Sequence, residues 1–193
     1  MGKRILLAIG GVLLLAGCSV TGEKLNELTP QPVSSPVESN ESAFSANHAV
    51  SVNDSRDELE ASLRSVFDEY LRLSALIASE GGDNPERIEV VTSNDWAEIE
   101  KQSSTALREM GSKLSGEMTV AKWEIASTRG RLRILDALVH ACLSRDSIKV
   151  TDSSGVETAV SGTTLVTIHF VGSDGGFVVD DISPWEDSAW CAA

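Results

Sequence analysis

Apolar residues recur at three- and four-residue steps through one part of this chain and at alternate positions through another. From Leu59, the residues Leu63, Val66, Phe67, Tyr70, Leu71 and Ser74 form one stripe of a helix. Ser55 and Glu58 ahead of them make a capping box, in which each side chain satisfies an amide of the first turn. Gly81-Gly82 ends this helix, because glycine accepts left-handed backbone at little cost. Asn84-Pro85 predicts a second, short helix through Ile88 and Val91, with proline at its first position. A third helix is expected from Ser93 or Asn94. It would carry Trp96, Ile99, Ser103, Ala106, Leu107, Met110 and Leu114 on one face, with Glu109 and Lys113 as an i,i+4 pair.

After Ser115-Gly116 the period falls to two, the spacing of strands. Met118 to Ala126 alternates, with Ala121, Trp123 and Ile125 expected on one face and Lys122 and Glu124 on the other. Leu132 to Leu143 is apolar on nearly both faces, as a central strand would be. Ile148 and Val150 lead into Asp152-Ser153-Ser154-Gly155, a hairpin turn signal, and Val156 to Val160 returns as an edge. The β-branched run Thr163 to Val171 is turned by Ser173 to Gly176 into Phe177 to Ile182. This order predicts the α+β class: three N-terminal helices packed on a curved antiparallel sheet of four to six strands.

The N-terminal residues have a different pattern. Lys3 and Arg4 precede an apolar run from Ile5 to Leu15, shorter than the roughly 20 residues that span a membrane. The run ends in Leu15-Ala16-Gly17-Cys18, which looks like the lipobox of a bacterial lipoprotein. The expectation is a signal peptide over 1–17, cleavage before Cys18, and diacylglycerol on that thiol, placing the protein on the extracytoplasmic face of the cell membrane. Residues 18–53 read as a disordered tether. Pro30, Pro32 and Pro36 stand there among polar residues, with too little apolar surface to offset ordering. The folded domain is expected over 54–193.

With Cys18 lipidated, Cys142 and Cys191 remain in a compartment that permits disulfides. Neither CxxC nor HxxxH spacing is present to suggest a metal or redox pair, so a structural bridge is expected. Net charge is −13, and removal of residues 1–17 with their two basic groups deepens it to −15. Such a surface repels phosphate backbones and anionic headgroups, which argues against nucleic acid as a partner.

In its order of elements, the chain resembles the nuclear transport factor 2-like superfamily, the cone-shaped α+β fold shared with ketosteroid isomerase and polyketide cyclases, and more narrowly small actinobacterial lipoproteins with such a domain. The resemblance rests on the long helix Ser55–Ser79, on Ala141-Cys142-Leu143 in a central strand, on the 152–155 turn and on Trp190-Cys191. It covers roughly Asp54 to Cys191. It implies a pocket between sheet and helices and a possible homodimer. The catalytic Asp of the isomerases matches no position here.

Asp136 and His140 share strand parity, and His169 joins them if the neighbouring strands pair. They are the candidate pocket residues, able to orient a ligand, to act as base and orienter, or to ligate a metal. The simpler reading, a buried hydrogen-bonded pair or a solvent-facing position on the convex side, is preferred, because no nucleophile or third ligand has diagnostic spacing. Asp180, Asp181, Glu186 and Asp187 are oxygen-rich but match no calcium loop. No nucleophile, metal set or cofactor motif accompanies these groups. The expected role is therefore non-catalytic: binding a small ligand or an envelope protein. The alternative is a pocket enzyme of cyclase, isomerase or hydratase type.

Overall fold

A computed structural model describes residues 55–131, 134–173, 176–186 and 189–192. The expected signal peptide and tether, with Cys18, and also Leu132 and Asp187, lie outside the described residues.

Helix α1 spans Arg56–Ser79 and opens on the expected capping box: the Ser55 amide donates to Glu58 at 2.8 Å and the Glu58 amide to Ser55 Oγ at 3.3 Å. Its buried side chains include Leu63, Phe67, Tyr70 and Leu71. Gly82, at φ +87°, lies so close to the Ser104 carbonyl that a Cβ there would fall 2.1 Å from the oxygen. The contact brings the end of α1 against α2, Asn94–Glu109, and Arg108 Nη2 donates to the Gly82 carbonyl at 2.5 Å.

Three helices on one sheet is not the observed architecture. The expected second helix is a 3-10 segment, Pro85–Val90, whose flanking Asn84 adopts left-handed backbone and turns its amide to Glu80 at 3.1 Å instead of capping. The stripe assigned to α2 is also displaced. Ala97, Glu100, Ser104 and Leu107 are buried, whereas Ile99 and Met110 are 48% and 50% exposed. Polar residues can occupy the buried face because Ser104 Oγ donates to the Glu100 carbonyl and the Glu100 carboxyl meets Tyr70. Lys113 and Leu114 lie beyond the helix, in strand β1 (Lys113–Ser115), so Glu109 and Lys113 form no helical pair.

The strands also depart from the expected single sheet. Seven are present among the described residues: β1, β2 (Thr119–Arg131), β3 (Ile134–Ser144), β4 (Ile148–Thr151), β5 (Glu157–Val160), β6 (Thr163–Ser173) and β7 (Gly176–Pro184). They form a three-stranded antiparallel sheet, β1-β4-β5, and a four-stranded one, β2-β3-β6-β7. The division lies where the chain from β1 to β2 crosses the chain from β3 to β4. Gly116, at φ +87°, would place a Cβ 2.0 Å from the Ser147 carbonyl, and Ser147 Oγ donates to the Glu117 carbonyl at 2.5 Å. A third bend joins them, as Asp146 Oδ1 accepts from the Gly162 amide at 3.0 Å. Three chain segments therefore turn together, and the ladders on either side separate.

In the four-stranded sheet, β3 is central, as its apolar run predicts, and the far edge of β7 is covered by backbone bonds between Val179 and residues 91 and 93. Ala137, Val139, Ala141 and Leu143 of β3, Val166, Ile168 and Phe170 of β6, and Phe177 and Val179 of β7 face α1 and form the core with Leu63, Phe67 and Tyr70. In β2 the register shifts around Ala121 and again around Ala126. These bulges explain why Val120, Trp123 and Ile125 pack inward while Ala121, expected beside Trp123, is exposed.

Candidate functional site

Strand alternation settles where the sequence-predicted polar residues sit. Since Ala137, Val139 and Ala141 face the helices, Asp136, Leu138, His140 and Cys142 project from the opposite, outer face of the sheet. His169 joins that face from β6, opposite Leu138. None of the three candidate polar residues points into the space between sheet and helices, where a cone pocket would lie.

The outer face divides into two groups. In the first, His169 Nδ1 lies 3.1 Å from Asp180 Oδ2, and Nε2 lies 4.0 Å from Asp136 Oδ1. An ionised carboxylate only accepts, so Asp180 fixes the proton on Nδ1 and leaves Nε2 toward Asp136. Asp180 reaches this position because β7 is bulged opposite His169 and Phe170, which turns both Asp180 and Asp181 outward.

His140 belongs to the second group. Its Nδ1 lies 3.2 Å from Thr167 Oγ1, and its ring stacks on Trp185 at 3.8 Å between centroids and 12° between planes. Trp190 packs edge-on against Trp185 at 5.2 Å. Lys122 Nζ lies 4.6 Å from the Trp190 ring and donates to its carbonyl at 2.8 Å. Cys142 and Cys191 are bonded, with Cα atoms 5.8 Å apart. The chain after β7 is thus strapped over one end of the outer face. Asp136 and His140 are not hydrogen-bonded to each other; each has separate partners.

This arrangement can hold a proton, accept or donate hydrogen bonds and offer an aromatic edge. Among the described residues no group of three His, Cys, Asp or Glu side chains could hold a metal ion. Leu138, 36% exposed, stands between the two groups.

Sequence reasoning missed a further cluster, at the α1–α2 contact. Tyr70, fully buried, donates to Glu100. Burial raises the Glu100 carboxyl to about 7, against the opposing pull of the Tyr70 hydrogen bond. Burial, then the Glu100 charge, pushes the Tyr70 phenol well up. Tyr70 occupies a stripe position and Glu100 lies off the stripe read for the third helix, so period alone conceals the pair.

No family model matches the chain, and no curated protein matches it. Among solved structures it is similar to the intermembrane-space region of the chloroplast protein ARC6, at 12% identity and a TM-score of 0.50, over 66% of this chain and 96% of that one. At that identity the likeness concerns the fold alone.

Proposed function

We propose that this chain is a lipoprotein anchored through Cys18 to the extracytoplasmic face of the membrane, where its domain docks an envelope protein without catalysis. The observation that carries this reading is the outward direction of Asp136, His140 and His169 around an exposed Leu138. A catalytic site needs a nucleophile, a metal or an oxyanion donor within reach of its base, and a surface open to water weakens each electrostatic contribution. Docking needs only an apolar point with polar surroundings. The kinship proposed for the domain is nuclear transport factor 2-like, supported by helices that precede antiparallel strands.

The test combines anchoring and contact. Cys18→Ala should move the protein out of the membrane fraction and abolish fatty-acid labelling. A photo-crosslinking side chain at Leu138 should capture a protein in intact cells, and one at Val156, exposed in the turn before β5, should not. Equal capture at both positions, or enzymatic turnover that disappears in Asp136→Asn, would overturn the reading.

A further inference from the structure

The α1–α2 contact holds a carboxyl that the proposed docking face does not use. Tyr70 and Ser74 enter it from α1, and Trp96 and Glu100 from α2. Ser74 and Trp96 turn their polar groups toward the Tyr70 hydroxyl, and that hydroxyl donates to the carboxyl.

The neighbouring charges are committed elsewhere. Lys101 binds Glu89 and Glu98. Arg108 binds Asp83 and the Gly82 carbonyl. In the 3-10 segment, Arg87 is held by Glu80, and on α1, Glu69 pairs with Arg72. On β7, Asp180 pairs with His169 on the outer face and Asp181 is exposed. An ionised Glu100 would therefore be a buried charge with a phenol for its partner, which is a costly state.

The ends of α2 are fastened separately. The Ser93 amide donates to the Val179 carbonyl at 2.8 Å, and Arg108 donates to Gly82. Between these points the helix depends on Ala97, Glu100, Ser104 and Leu107 for burial.

We propose that Tyr70 and Glu100 form a proton-operated latch, in which neutral Glu100 keeps the middle of α2 docked on α1 and loss of its proton loosens that segment. Acid conditions close the latch and alkaline conditions open it. The folded carboxyl titrates at about 7 against an ordinary 4.5, so the opening equilibrium of α2 should rise about 30-fold between about pH 5.5 and about pH 8.

The test uses the full chain in detergent micelles. Hydrogen exchange of α2 amides, corrected for intrinsic rates, should show that rise in the wild type and a flat response in Glu100→Gln. Carbon NMR should place the Glu100 carboxyl midpoint near neutrality. Tyr70→Phe should move it higher, because the phenol favours the charged form. This measurement needs no folded Glu100→Gln. A midpoint in the ordinary carboxylate range, or the same pH response in wild type and Glu100→Gln, would overturn the latch.

Discussion

Replacing Cys191 with Ser opens a loop of 49 residues between β3 and the chain's final turn. In the chain-entropy model, closing such a loop removes about 4 kcal/mol of freedom from the unfolded state. That figure is an upper limit for this protein. Cys191 lies in a short terminal strap held by the His140–Trp185 stack, the Trp185–Trp190 edge contact and Lys122. Aromatic contacts of this kind contribute roughly 0.5–1.5 kcal/mol each, less than the cost of ordering several residues at roughly 1–2 kcal/mol apiece. Without the covalent bond the strap should fray, and the folded state then recovers part of the entropy that the unfolded state gains. The expected loss is about 2–4 kcal/mol, measured by urea unfolding followed by circular dichroism. Fraying should also open Cys142, now buried, to a thiol reagent in native buffer. A loss below about 1 kcal/mol together with an unreactive Cys142 would refute the reasoning and show that packing alone holds the strap.

Phe67→Ala removes a fully buried ring that stacks on Tyr70 and meets Trp123 and Phe170, so unfolding should become easier by about 3–5 kcal/mol in the same assay. Gly82→Ala forces a Cβ to within 2.1 Å of the Ser104 carbonyl at a left-handed position and should cost more than about 1 kcal/mol, with exchange in the first turns after α1 rising most. Glu100, with its folded pKa raised to about 7, contributes stability that is complete below its unfolded value and lost as pH rises through 7. Wild type relative to Glu100→Gln should therefore lose about 3 kcal/mol between about pH 4 and about pH 8, measured by denaturant midpoints at each pH.

Local chemistry was legible wherever one residue type has one job. Ser55 and Glu58 fixed the start of α1, and Leu63, Phe67, Tyr70 and Leu71 of its stripe are buried as its spacing predicts. The apolar run through β3 marked the central strand, and counting cysteines paired Cys142 with Cys191. The rest depended on partners distant in sequence. Glu100 and Ser104 occupy a buried face because Tyr70 and Gly82 meet them there, which shifts the stripe of α2 away from Ile99. Parity placed Asp136 with His140 but not on an inner or outer face, since that depends on which side α1 covers. The split into two sheets comes from the crossing of Gly116 and Ser147, and β1 is only three residues long, too short for period two to register.

The two bulges of β2 have a consequence for crowding. This thirteen-residue strand lies at one edge of its sheet, and a long regular edge is a template on which further chains can stack. Register breaks around Ala121 and Ala126 leave no uninterrupted run longer than Ser127 to Arg131. A copy approaching edge-on would lose its spacing after a few residues, and the charged side chains of Lys122, Glu124 and Arg129 further blunt that edge. Molecules crowded together can thus collide often without polymerising into a shared sheet.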